Sequence, residues 1–380
     1  MRNELNKTIQ KSVLFLGLIF AISLFTVQKS YGEAAIIVGD DVKIKFGVLF
    51  QPQIDEAQNI SGNYQQNMFL KRARFLIGGQ LAPNLTFFTE FDNPNLGKQG
   101  VNTPTPIAAN KNIATTGFNT LDAILTWKPI DPVNIDTGLI WVPLCRNCIE
   151  SAAMLLPIGY ADSSFKESAA TGSNTSRDTG IQLRSYLFSD KLEIRLGAFQ
   201  GSRSPIGAAG STDPFRVAGR VQYNVFDAEK GFFYTGTYLG KKKVLAIGAG
   251  FDAQGDYRAQ AFDLFADIPV TGDLAVTVQA DSLRWMPGQF SFAGPAANGD
   301  QSDWVVEAGI YHAPTKLMPF AQAELQQDVA GVASNTKILQ GGIAYYFSGY
   351  NGNLKLSGGY KDTGVVYTNQ VTVQLQGFYF

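Results

Sequence analysis

Histidine and cysteine are nearly missing from this chain of 380 residues, which has one His and two Cys. Charge is thin too, at 17% of residues against roughly 25% in ordinary soluble domains. Only one long apolar run occurs, close to the N-terminus. A helical membrane bundle is thereby excluded, because it would need many runs of about 20 apolar residues. The formal net charge of −1 gives no reason to expect a nucleic-acid partner, which would want a basic domain. What is abundant is Gly (39), Phe (27) and Tyr (15). Aromatics at 12% are too many for a disordered chain. Moderate hydropathy, abundant Gly and aromatics, and little charge together suit a transmembrane β-barrel.

The apolar run reads as a secretory signal peptide over residues 1–32. Arg2, Lys7 and Lys11 precede Val13–Val27, and Ser30-Tyr31-Gly32 supplies small residues at a cleavage site. Its removal takes four basic side chains and one acidic from the whole chain's −1, leaving −4. Residues 33–380 then form the barrel domain.

The rest of the chain alternates with period two. Val42, Ile44, Phe46, Val48 and Phe50 share one face, with Lys43, Lys45 and Gly47 on the other. Phe69, Ala73, Phe75 and Ile77 oppose Arg72, Arg74 and Gly78, and Leu192, Ile194 and Leu196 oppose Glu193 and Arg195. About sixteen such segments are predicted: 42–51, 68–80, 84–92, 120–128, 133–142, 178–187, 192–200, 215–225, 243–253, 257–267, 273–284, 303–312, 317–326, 336–348, 353–361 and 370–380. Short connectors, such as 81–84 and 129–132, alternate with long ones: 52–67, 93–119, 143–177, 202–214 and 286–302. A soluble β-sandwich or β-helix would alternate as well. The leader, the low charge, the connector lengths and the aromatic end select an antiparallel outer-membrane barrel of about 16 strands in a Gram-negative cell.

The chain ends in Gly377-Phe378-Tyr379-Phe380. A terminal aromatic such as Phe380 suits recognition by the barrel assembly machinery. Its phase is odd, since Phe378 and Phe380 fall on the face of Thr372, Gln374 and Gln376. Either a bulge shifts the phase or Gln374 and Gln376 face a subunit interface. Trp127, Trp141, Trp285 and Trp304 fall near strand ends, as an interfacial girdle would require. Residues 226–242 are too long for a turn on the short-connector side and are expected to extend a strand pair beyond the membrane.

Several segments resemble the phosphate-selective porin O/P family. They are Phe69-Leu70-Lys71-Arg72-Ala73-Arg74-Phe75, Phe88-Thr89-Glu90-Phe91-Asp92, Leu125-Thr126-Trp127-Lys128-Pro129 and Arg177-Asp178-Thr179-Gly180-Ile181-Gln182-Leu183-Arg184. The resemblance implies a 16-stranded, trimeric channel whose third long loop, here 143–177, folds into the pore and narrows it. It implies phosphate selectivity only loosely.

A pore selects by width and lining charge. On these phases Lys43, Lys45, Arg72, Arg74, Arg184, Arg195, Arg216 and Arg220 line the lumen. Arginine's fork suits phosphate or carboxylate. These residues could instead pair with Glu90, Asp92, Asp122, Asp136 and Glu193 and merely fill the wall. Asp263, Asp267, Asp281, Glu307 and Glu324 make an acidic flank on the tenth to thirteenth segments. The loop adds Arg146, Lys166 and Arg177 against Glu150, Asp162 and Glu167, which is not the convergent basic cluster of a dedicated phosphate trap.

The loop also holds Cys145 and Cys148. With no second CxxC, a four-cysteine zinc site is out, and Ile149 excludes c-type haem attachment. A local disulfide is expected in an oxidising envelope. Gly248-Ala249-Gly250 mimics a dinucleotide fingerprint but runs on into another alternating segment rather than a helix. His312 lies beside a short turn, a poor place for a hydrolase centre. Neither enzyme nor cofactor nor metal is expected. The expectation is a passive channel for small hydrophilic solutes with an anion bias, forming homotrimers among outer-membrane lipid. The alternatives are a non-selective porin and a structural or electron-transfer-associated barrel.

Overall fold

The computed structural model describes residues 35–38, 42–98, 118–203, 213–292, 294–296 and 298–380. The expected leader and parts of two expected loops, 99–117 and 204–212, lie outside the described residues. The strands are β1 (Ala35–Val38), β2 (Val42–Gln58), β3 (Tyr64–Ala82), β4 (Leu85–Asp92), β5 (Asn119–Ile130), β6 (Val133–Trp141), β7 (Arg177–Leu187), β8 (Leu192–Phe199), β9 (Arg216–Asn224), β10 (Val244–Gln254), β11 (Tyr257–Pro269), β12 (Leu274–Met286), β13 (Gln301–His312), β14 (Leu317–Asp328), β15 (Thr336–Tyr345), β16 (Phe347–Tyr350), β17 (Gly352–Asp362) and β18 (Tyr367–Tyr379).

Sixteen of these pair in sequence as antiparallel neighbours, from β2 through β15 to β17 and β18. The last returns to the first, with Gln374 opposite Gln53 and Tyr379 opposite Val48. The sheet is therefore a closed ring. β1 lies outside the ring and pairs with the start of β2, Ala35 opposite Lys45. Closure leaves no unpaired sheet edge, and only helices and closed barrels can satisfy every backbone group inside a bilayer.

Alternation gives each strand two environments. On β11, Tyr257, Ala259, Ala261, Asp263, Phe265 and Asp267 point inward and are buried, while Phe262 and Leu264 are exposed on the outer face. Trp127 and Trp304 lie exposed on that outer face, as the girdle requires. Trp141 and Trp285 do not. They are buried inside the ring, Trp141 beneath the Arg177 guanidinium at 3.4 Å and Trp285 donating its Nε1–H to Asp303 at 2.8 Å.

Three further expectations need correction. The connector over 52–67 is mostly strand, since β2 runs to Gln58 and β3 begins at Tyr64. A register shift between Phe50 and Pro52 leaves Gln51 without a partner on β3. The shift reverses the phase of β3, so Phe69 points inward with Gln53 rather than outward with Phe75. At the C-terminus neither alternative holds. The β18–β2 register is continuous, and Gln374 and Gln376 are buried in the lumen. It is the aromatics that turn inward. Phe378 packs against Leu49, and the Phe380 ring lies 5.5 Å from that of Phe88.

These rings join an apolar cluster inside the barrel, built on Leu49, Leu76, Phe88, Ile124, Ile140 and Phe199. Phe88 is its hub, meeting Phe232, Phe233 and Phe380. Phe88→Ala is expected to lower unfolding stability by about 3 kcal/mol or more. Urea unfolding of the detergent-folded barrel measures it, and wild-type stability would show that the cluster does not hold the barrel together.

Candidate functional site

Two connectors fold into the ring. Val142–Ser176, between β6 and β7, enters from the long-loop side; Arg177, expected within this loop, is the first residue of β7. It carries short 3-10 turns at Asn147–Ile149 and Asp162–Phe165 and one helical turn at Ser168–Thr171. The second insert, Val225–Lys243 between β9 and β10, enters from the short-turn side. It does not extend a strand pair beyond the membrane, because Glu229, Tyr234, Thr237 and Leu239 are buried inside the ring.

The acidic flank is where the long loop is fastened. The Arg146 amide donates to Asp263 at 3.3 Å and the Asn147 amide to Asp281 at 3.2 Å. Asn147 Nδ2 donates to Glu307 at 3.1 Å. Glu324 accepts from the Asp162 amide at 2.8 Å, the Ser163 amide at 2.9 Å and Ser163 Oγ at 2.6 Å. Lys166 Nζ reaches Asp303 at 2.6 Å. From β17, Lys355 Nζ donates to the carbonyls of Leu155 at 2.6 Å and Pro157 at 2.9 Å. Asp263, Asp281 and Glu324, expected to present a field to the solute, are thus hydrogen-bond acceptors for the loop backbone, and Glu307 accepts from the Asn147 side chain. Such long-range partners leave no local signal in the sequence.

Glycine makes the approach possible. A Cβ on Gly250 would lie 1.9 Å from the Leu144 carbonyl oxygen. Gly248 clears space beside the Arg220–Asp263 pair in the same way. Of the glycines that imitate a nucleotide motif, Gly250 seats the loop and Gly248 seats an ion pair of the wall. Cys145 and Cys148 are joined by a disulfide, fully buried near Trp285, Tyr257 and Phe292.

Most of the basic residues singled out from sequence are lumenal and paired. Arg74 meets Asp92 at 2.9 Å and also Glu90. Arg184 grips Asp136 through two nitrogens at 2.8 and 3.0 Å. Arg195 meets Glu193 at 2.8 Å, Arg216 meets Asp252 at 2.8 Å through Nε, and Arg220 meets Asp263 at 2.6 Å through Nη2. Arg177 sits on Asp122 at 3.3 Å. Lys43 and Lys45 share the inward parity of Gly47 and Leu49 and are half-buried near the start of β2. Arg72 differs from the rest. It donates to Gln51 Oε1 at 2.7 Å, lies 5.4 Å from the Tyr160 ring centre, and has no carboxylate at ion-pair distance among the described residues.

Arg72 lines a cavity of about 500 Å³ with Lys71, Arg74, Arg177 and Tyr160, and with the carboxylates of Asp92 and Asp162. A neighbouring cavity of about 290 Å³ shares Lys71, Tyr160 and Asp162 and adds Glu324 and Lys361 among amides and hydroxyls such as Gln322, Gln340 and Thr372. In the loop, burial and then the neighbouring Glu307 push the Glu150 carboxyl well above the usual carboxylate range. Burial opposes the charge on Arg146, but Glu229 and then Glu150 more than offset it and hold its pKa above the ordinary value.

Glu324→Ala removes three anchoring hydrogen bonds at once. Trypsin is expected to spare the buried Lys166 in the wild type and to cut there in the variant. Equal resistance in both would show that Glu324 does not fasten the loop.

No protein-family model matches the sequence, and no curated protein matches it. Solved structures do. OmpF of Salmonella typhi, solved with daunomycin, aligns over 90% of this chain and 99% of its own, with 15% identity and a TM-score of 0.60. An anion-selective porin from Comamonas acidovorans aligns over 89% and 100%, with 13% identity and a TM-score of 0.58. The outer membrane channel DcaP of Acinetobacter baumannii aligns over 91% and 100%, with 11% identity and a TM-score of 0.56. The likeness is one of fold: the chain is a closed 16-strand antiparallel barrel of the kind seen in Gram-negative outer-membrane porins.

Proposed function

We propose that this protein is an outer-membrane diffusion channel for small hydrophilic solutes with a modest preference for anions. The apolar outer face suits lipid, and the charged, amide-rich interior suits water-borne solutes. Full-length likeness to porins supports the channel, and their trimeric members make a homotrimer the natural assembly. A leader over 1–32 and insertion through Phe380 complete the reading.

One observation carries the anion preference: Arg72, beside Lys71, faces the loop-side cavity with no carboxylate at ion-pair distance among the described residues. The anion-selective neighbour points the same way. Phosphate, implied by the O/P resemblance, is the finer reading, and the cavity's Arg74 and Arg177 are already held by acids. That pairing is also what favours the second reading, a porin without selectivity.

The reversal potential in a KCl gradient across a planar bilayer separates the two. The wild type is expected to favour chloride. Arg72→Gln should move the potential toward zero. The charge-neutral pair Arg184→Gln with Asp136→Asn should leave it in place. A potential unmoved by Arg72→Gln would remove Arg72 from the account, and one near zero in the wild type would favour the non-selective reading.

A further inference from the structure

The β9–β10 connector has no role in the function proposed above, yet it is built into the lumen as firmly as the long loop. Backbone hydrogen bonds tie the two inserts directly. The Ser151 amide donates to the Tyr234 carbonyl at 3.0 Å, the Tyr234 amide to the Ile149 carbonyl at 3.0 Å, and the Gly236 amide to the Met154 carbonyl at 3.1 Å. Gly236 has to be small, since a Cβ there would lie 2.8 Å from the Leu156 amide nitrogen. Arg146 of the loop grips Glu229 of the connector with two nitrogens, at 2.7 and 2.8 Å, and donates to the Thr235 carbonyl at 2.8 Å. Arg146 and Glu229 are 0% and 2% exposed, so a charge pair is enclosed where the two segments meet.

The connector also touches walls right round the ring. Its Phe232 and Phe233 rings pack against Phe88 of β4. Tyr234 Oη donates to Glu193 of β8 at 2.5 Å. The Tyr238 amide donates to Asp267 of β11 at 2.7 Å. Tyr350 of β16 donates its hydroxyl to the Thr237 carbonyl. A segment with partners on ring strands β4, β8 and β11, and on β16 in the β15–β17 connector, crosses the bore instead of lying along one wall.

We propose that Val225–Lys243 is a second constriction element, entering from the short-turn side, and that the Arg146–Glu229 pair latches it to the long loop. This rests on the channel reading. The pair acts by position: it is enclosed from solute and holds together the two segments that narrow the path. Removing one partner leaves the other charge buried and unpaired, so the junction should loosen.

Single-channel recording on the full chain tests this. Replacing residues 228–241 by a short Gly-Ser linker should raise conductance several-fold. Glu229→Ala should give noisy excursions to a higher level, and Glu229→Asp should return the trace toward wild type. A wild type that is silent while the linker variant conducts supports the connector as the narrowing element and overturns the reading of the wild type as an open diffusion channel. Wild-type conductance in the linker variant overturns the proposal and leaves the channel reading intact. If the linker variant does not fold, Glu229→Ala decides, and a quiet trace at the wild-type level overturns it. Silence in wild type and folded variants alike removes the channel reading and this proposal together.

Discussion

Everything in this barrel follows from the joining of its last strand to its first. Once β18 pairs with β2, no strand edge remains, and the wall can sit in hydrocarbon without an orphaned backbone group. Closure fixes the direction of every side chain. One alternate must tolerate lipid, and the other is confined to a bore of fixed width. Scarce charge and plentiful Phe and Gly in the sequence are the compositional result of that division.

The bore is then furnished by two inserts, and this decides the electrostatics. Charges buried in a narrow interior are costly unless paired and hydrogen-bonded. The acidic strands β11 to β14 meet that demand by accepting hydrogen bonds from loop amides and from Arg146, Asn147, Ser163 and Lys166. The arginines of β7, β8 and β9 meet it by pairing with acids on their own strand or one or two strands away. Little unmatched charge is left for a solute. What remains gathers at Arg72 and Lys71, where the bulge after Phe50 turns consecutive β3 residues toward the loop-side cavity. The proposed anion preference and a backbone irregularity are thus linked on one strand.

The wall was legible in the sequence because period-two alternation is a local property. All sixteen predicted segments correspond to ring strands, including those at 133–142 and 353–361. Boundaries failed where the polar face ran on, as in Gln53 and Asp55 beyond Pro52. Phase failed at Phe69 because a one-residue bulge is set by the partner strand. The lumen was far less legible. Glu229, Tyr234 and Lys355 bind segments 80 to 200 residues away in sequence, with spacings of no fixed period. The length of 226–242 was the one available signal, and it marked an anomaly without revealing a direction. Phe378 and Phe380 misled for a related reason: a terminal aromatic suggests lipid, and here the lumen offers an apolar cluster to receive it.

The central claim is a water-filled path narrowed by two inserts. Swelling of proteoliposomes in uncharged polyols of increasing size tests it most directly, because neither lining charge nor counter-ions enter. The account predicts swelling with the smallest polyols and a sharp loss as size rises. Swelling with large oligosaccharides would contradict a bore crossed by both segments, and no swelling with any polyol would contradict a path.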